Sequence, residues 1–241
     1  MGDVRTEDGA PLVGVLALQG DFDDHEQALA AFGVRTRQVR TADGLRGLDG
    51  LVLPGGESTT MLKLLDVEGL WGPLGEALAS GLPVFATCAG MILLAERVEN
   101  PQQRSYGLLP ITVVRNGYGR QFHSGTFALQ LESNELPEGT TGTFIRAPRI
   151  TAVGDCEVLA RRDGDPVLVR KGPLLAACFH PELERGHAVV AMFVTAVRRA
   201  REAAGAIAAA VPAPRTAGAE APGVAAPSKG VAQCASLRPA R

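Results

Sequence analysis

Three side chains in this sequence are suited, together, to cleave an amide or ester bond: Cys88, His180 and Glu182. A thiol becomes a strong nucleophile once its proton is lost, and a nearby imidazole can take that proton. Glu182 follows His180 by two residues, so in an extended segment both side chains lie on one side. A carboxylate in that position accepts the Nδ1–H of the imidazole, selects its tautomer, raises its basicity and leaves Nε2 to face a nucleophile. Pro54-Gly55-Gly56-Glu57-Ser58 adds adjacent glycines, whose backbone N–H groups can turn toward a developing oxyanion. The N–H of Ala89 is the matching second donor. Arginines at Arg115, Arg120 and Arg146 are placed to grip a substrate carboxylate through two hydrogen bonds each. Every piece has a plainer reading: a buried structural cysteine, a surface His-Pro-Glu turn, an ordinary glycine loop, solvated charge. Their positions at the ends of apolar runs set them apart.

Those runs come first in the local structure. Val84-Phe85-Ala86-Thr87 is a strand pattern, and Ala89-Gly90-Met91-Ile92-Leu93-Leu94-Ala95 is an apolar helix pattern with Cys88 at the junction. Small neighbours at Ala86, Ala89 and Gly90 suit a sharp, crowded turn. A strand turning directly into a helix is a nucleophile elbow, and the first helical N–H groups favour thiolate over thiol. Leu12 to Leu18 is a continuous apolar run, as in a parallel strand buried on both faces. Asp21 reads as the N-cap of a helix to about Phe32, and Val34 to Val39 as the next strand. Leu51 to Leu53 is a third strand, ending in the Gly-Gly loop. Thr59 to Leu65 and Gly72 to Ala79 read as helices.

This alternation predicts an α/β fold: a three-layer, open, mostly parallel sheet with a flavodoxin-like core. Downstream, Ile111–Val114, Thr126–Leu131, Gly142–Ile145, Cys156–Arg161, Pro166–Arg170 and Leu174–Phe179 read as additional, partly antiparallel strands. His187 to about Ala204 is a helix with Val190, Phe193, Val194 and Val197 on its buried face. The expected organisation is a lead-in over 1–11, one domain over 12–204 and a disordered Ala/Pro-rich tail over 205–241. Cys234 lies in that tail, which leaves it aside as a nucleophile.

Composition narrows the function classes. The 241 residues are 46% hydrophobic and 21% charged, with a formal net charge of −2. That balance argues against nucleic-acid or membrane-surface partners. No apolar run reaches the roughly 18 residues needed to span a bilayer. The four cysteines show no CxxC spacing and no metal pattern with the four histidines, so reduced thiols, a cytoplasmic setting, no metal and no cofactor are expected.

Several motifs, taken in order, resemble one family. They are Leu18-Gln19-Gly20, Leu53-Pro54-Gly55-Gly56-Glu57-Ser58-Thr59-Thr60, Thr87-Cys88-Ala89-Gly90, Arg115 to Gln121, Phe144-Ile145-Arg146-Ala147-Pro148 and Phe179-His180-Pro181-Glu182-Leu183. The Cys, His and Glu elements alone resemble class I triad glutamine amidotransferases. The Arg-Asn and Ile-Arg-Ala-Pro segments narrow the resemblance to the glutaminase subunit of pyridoxal 5′-phosphate synthase, over about Leu12 to Ala200. The resemblance implies hydrolysis of L-glutamine through a γ-glutamyl thioester on Cys88, with His180 as base then acid and Glu182 as its orienter. It implies glutamine contacts from Gly56, Glu57, Ser58, Arg115, Ile145 and Arg146, and an oxyanion hole from Gly56 and Ala89. It also implies a separate (β/α)₈-barrel synthase subunit that receives the ammonia and stimulates the glutaminase.

The chain departs from that pattern at three places. Ala86 stands where the family usually has glycine, which predicts strain if the elbow needs a left-handed backbone there. Asp24-His25 replaces the Glu-His often found in the first helix, and Ser124-Gly125 stands where Ser-Phe is common. Two other function classes stay open at this point. One is a different triad enzyme on the same fold, such as a γ-glutamyl hydrolase or another amidotransferase subunit. The other is a non-catalytic module that binds the synthase.

Overall fold

The computed structural model describes residues 9–117 and 124–210. The elements run β1 (Leu12–Leu16), α1 (Phe22–Ala30), β2 (Arg35–Val39), a 3-10 turn (Ala42–Leu45), β3 (Gly50–Leu53), α2 (Ser58–Val67), α3 (Trp71–Ala79), β4 (Val84–Thr87) and α4 (Ala89–Leu94). They continue with β5 (Ala95–Glu99), β6 (Leu109–Val114), β7 (Gly125–Ala128), β8 (Gln130–Leu131), β9 (Thr141–Phe144) and β10 (Arg149–Val153). The last are β11 (Glu157–Arg162), β12 (Asp165–Lys171), β13 (Leu174–Ala177), a 3-10 turn (Pro181–Leu183) and α5 (Ala188–Ala210).

The apolar runs form the middle of an eight-stranded sheet in the order β2-β1-β3-β4-β13-β12-β11-β8. Its first five strands are mutually parallel, and β12, β11 and β8 continue it antiparallel. β3, β4 and β13 are buried along their whole length, as expected where both faces of a parallel sheet are covered. The polar edge strand β2 (Arg-Thr-Arg-Gln-Val) buries fully only Val39. From β1 the chain goes out to β2 and returns to β3 on the opposite side of β1. This reversal opens a crevice at the carboxyl ends of the strands, the usual ligand position in such sheets. α1 packs near α5, and α2 packs against α3 and α4. Phe85 and Phe193 meet with ring centroids 5.6 Å apart, joining β4 to α5.

Several elements differ from the sequence expectation. Thr126–Leu131 is two strands rather than one. Leu129, between them, donates its N–H to Thr140 O at 3.0 Å; β7 pairs with β9 while β8 joins the main sheet. β5 and β10 were not foreseen; both flank β6 in a separate three-stranded sheet. Their segments, Ala-Glu-Arg-Val-Glu and Arg-Ile-Thr-Ala-Val, are too short and too polar for clear alternation, and both pairings carry a register shift. α5 continues to Ala210, beyond the boundary at 204, because Ala-rich sequence sustains a helix and Pro212 is the first residue to forbid it. The tail from 211 onward lies outside the described residues. Among the described residues no helix is long and apolar enough to cross a membrane.

Candidate active site

Four strand ends converge on one place. Gln19, Gly20 and Asp21 follow β1, Gly55 and Gly56 follow β3, Cys88 follows β4, and His180 follows β13. The elbow takes the form expected of it. Cys88 lies between β4 and α4 at φ 46°, ψ −103°, a conformation that costs an L-residue about 1–3 kcal/mol. The surroundings hold it there. Cys88 N donates to Ala177 O at 2.9 Å, and Cys88 O accepts from Ile92 N at 3.2 Å. A side chain at Gly90 would collide with the backbone carbonyl of Leu53, so only glycine lets α4 start this close to the end of β3. Strain at Ala86 is not observed. Ala86 sits inside β4, paired with Leu53 and Ala176, and the positive φ falls two residues later, on Cys88.

His180 and Glu182 meet, though not through the extended geometry read from sequence. Pro181–Leu183 is a 3-10 turn, and within it His180 Nδ1 and Glu182 Oε1 are 2.7 Å apart. His180 is placed by a backbone bond to Thr143 O at 2.8 Å. Both side chains are buried, and because β4 and β13 are parallel neighbours with Thr87 beside Ala177, Cys88 and His180 leave the sheet at the same edge. With Nδ1 engaged by Glu182, Nε2 is the nitrogen left for sulfur. Burial works against a charged His180, but the hydrogen bonds to Cys88 and Glu182, with their charges, push its pKa up to about 10. Burial likewise opposes charge on Glu182, yet His25 and His180 hold its pKa down to about 2. The pair thus favours imidazolium beside carboxylate, the state in which His180 can return a proton to a leaving group.

Asp21 does not cap α1 with its side chain. Its Oδ2 lies 3.6 Å from His180 Nδ1 instead. Asp21, His180 and Glu182 offer ligand atoms within 4.8 Å of one another. Gly55 is pressed against the ring: an added Cβ would collide with His180 Cε1. Gly20 approaches the Gly55 carbonyl oxygen with similar closeness. In a planar trans peptide the Gly56 N–H therefore points away from Gly20. The Ala89 N–H is the first of α4 and has no intrahelical acceptor.

The residues expected to bind substrate fall into three groups. Glu57 caps α2, accepting from Thr59 N at 3.1 Å and Thr60 N at 2.7 Å. Burial would raise its pKa, but the Thr60 and Thr59 hydrogen bonds bring it down to about 2. Arg115 joins this cluster through Glu57 Oε1 at 2.8 Å and Thr59 Oγ1 at 3.0 Å. Ser58 is buried, and its hydroxyl donates to Gln103 Oε1 at 2.9 Å. Ile145 and Arg146 are exposed just past β9, with Arg146 at φ 45°, two and three residues beyond the Thr143 carbonyl that holds His180. Tyr118 to Gln121, including Arg120, lie outside the described residues.

Sequence reasoning left some participants without a role. Gln19 Oε1 accepts from Glu57 N at 3.1 Å, Gln103 binds Ser58, and His25 and Thr87 are hydrogen-bonded behind the triad at 3.0 Å. Gln19 was within reach, since Leu18-Gln19-Gly20 also ends a central strand. Gln103 was not, because nothing local marks a glutamine in an irregular stretch.

Comparison with known proteins bears on this arrangement. Residues 15–199 match the model of the SNO glutamine amidotransferase family. The chain is 46% identical over 190 residues to the pyridoxal 5′-phosphate synthase subunit PdxT of Geobacillus thermodenitrificans, covering 78% of this chain and 96% of that one. It is 50% identical over 188 residues to the PdxT subunit of Koribacter versatilis, covering 77% and 95%. A crystal structure of a glutamine amidotransferase superposes with a TM-score of 0.71 at 41% identity, covering 77% of this chain and 98% of the other.

Proposed function

The chain belongs to the SNO glutamine amidotransferase family, and from that premise we propose that it hydrolyses L-glutamine to glutamate and ammonia with Cys88 as nucleophile. The observation that carries the reading is the strained Cys88 elbow at the same sheet edge as a buried His180 that Glu182 holds at 2.7 Å. Cys88 gives its proton to His180, and sulfur attacks the side-chain amide carbon of glutamine. The oxygen of the tetrahedral intermediate receives the N–H groups of Ala89 and Gly56. As the C–N bond breaks, His180 returns the proton to nitrogen and ammonia leaves. Water then attacks the γ-glutamyl thioester with His180 as base, releasing glutamate and restoring the thiol.

Glutamine contacts are assigned to Gly56, Glu57, Ser58, Arg115, Ile145 and Arg146. Arg115 and Arg146 supply the positive charge that an α-carboxylate requires. The relatives are named as subunits of pyridoxal 5′-phosphate synthase. The ammonia is accordingly assigned to a (β/α)₈-barrel synthase subunit in a cytoplasmic hetero-oligomer that makes vitamin B6. The test is ammonia release from glutamine by the parent and by Cys88→Ala, each with and without the synthase subunit. Parent activity that depends on the partner and is lost in Cys88→Ala is expected. Activity retained by Cys88→Ala overturns the nucleophile, and full activity without any partner points to a free hydrolase.

A further inference from the structure

His25 is a buried imidazole that the hydrolytic scheme leaves unused. It projects from α1 and is 1% exposed, edge-on to Phe85 with ring centroids 6.0 Å apart. Its Nε2 lies 3.0 Å from Thr87 Oγ1 and 3.4 Å from Glu182 Oε1. Thr87 immediately precedes the nucleophile, and Glu182 orients the base. One ring nitrogen therefore touches both arms of the site. The same Oε1 meets His180 Nδ1 at 2.7 Å, while Oε2 is buried with no partner among the described residues.

The chemistry of the carboxylate decides which way the hydrogen points. A buried carboxylate keeps its charge only with hydrogen-bond donors around it. Here burial opposes the charge, and His25 and His180 bring the Glu182 pKa down to about 2. An ionised carboxylate oxygen offers only lone pairs, so the nitrogen facing it must carry the hydrogen. The Thr87 oxygen can accept from that same N–H. With His180 as its only donor, Glu182 would be free to turn toward whatever else could satisfy it, carrying the His180 ring with it.

We infer that His25 is a positioning residue for the hydrolytic reaction, donating from Nε2 to Glu182 and Thr87 and so fixing the carboxylate that aims His180 at Cys88. The inference rests on the glutaminase reading. It adds a fourth side chain behind the triad, and it makes α1 part of the catalytic frame.

A pair of nearly isosteric variants separates this role from mere filling of the core. His25→Gln keeps an N–H donor near the Nε2 position; His25→Met has the same length and no donor. Two readouts apply to each: glutamine hydrolysis by the full chain with the synthase subunit, and carbamidomethylation of Cys88 by iodoacetamide in the chain alone. His25→Met should lose about tenfold or more in kcat with KM within about twofold, and Cys88 alkylation should slow with it. His25→Gln should stay within about threefold of the parent in both. Equal losses in the two variants, or a parent-like His25→Met, overturn the inference. Where His25→Met does not fold, Thr87→Val removes the second contact at constant shape. It should slow alkylation, and an unchanged rate overturns the inference equally. Failure of the glutaminase reading itself has a different signature: the parent releases no ammonia, while the alkylation ranking persists.

Discussion

The parallel half of the main sheet and the two smaller sheets divide the work. The parallel half (β2, β1, β3, β4, β13) presents Cys88, His180 and the Gly55-Gly56 loop at its carboxyl edge. Cys88, His180 and Glu182 are all buried there, with His180 and Glu182 hydrogen-bonded to each other. The two smaller sheets present Arg115 after β6 and Ile145 and Arg146 after β9, the last two exposed. Arg115 is bonded to Glu57 and Thr59 rather than held ready by the core. Groups that move protons need fixed distances and a low-polarity setting, which a doubly covered parallel sheet supplies. Groups that admit and release a substrate need water access, which edges and loops supply. If the division is real, substitutions in the first region should lower kcat, and those in the second should raise KM.

Glu182→Gln is the strongest probe of the first region. It keeps the shape but removes the charge that fixes the His180 tautomer, and kcat should fall about a thousandfold or more. Steady-state kinetics with the partner present would read it, and a loss below tenfold would break the comparison. Gly55→Ala comes next. The added methyl collides with His180 Cε1, and displacing the ring by about 1 Å should cost about a hundredfold in kcat.

Arg115→Ala tests the opposite side, with KM for glutamine rising about tenfold and kcat staying within about threefold. An equal fall in kcat would move Arg115 into the chemical machinery and blur the division. The smallest effect is expected in the pH dependence of stability. His180 is raised from 6.5 to about 10, so its contribution is complete below pH 6.5 and is lost as pH rises toward 10. Glu182 is lowered from 4.5 to about 2, so its contribution is complete above pH 4.5 and is lost as pH falls toward 2. Melting temperatures across both ranges would show the two slopes, and His180→Gln should flatten the alkaline one.

The same division governs what could be read in advance. The central parallel strands were legible because each is a contiguous apolar run closed by a turn residue. Leu12–Leu18, Leu51–Leu53 and Val84–Thr87 needed no partner to be recognised. β5 and β10 were hidden, since strands covered on one side and interrupted by a register shift leave no regular alternation. In the site, Cys88, His180 and Glu182 stood out by residue type and by their place after strands. Asp21 does occupy the N-cap position read for it, but its side chain makes no cap hydrogen bond and only the packed structure turns it toward His180. His25 was visible merely as the matching half of the Asp24-His25 pair, because its partners lie 62 residues away at Thr87 and farther still at Glu182.

By itself, then, the amino-acid sequence determined the parallel core, the elbow around Cys88 and the residue types of the triad. These depend on local patterns: apolar continuity, small residues at a sharp turn, a carboxylate two places from a histidine. Tertiary structure alone decided that the φ of 46° falls on Cys88 and not on Ala86. It also decided that a 3-10 turn delivers Glu182 to His180, and that Glu57 and Arg115 hold each other. The physical reason is common to all three. Each is a balance among groups distant in the chain, in which strain or charge at one point is tolerated because packing and hydrogen bonds from other elements offset it.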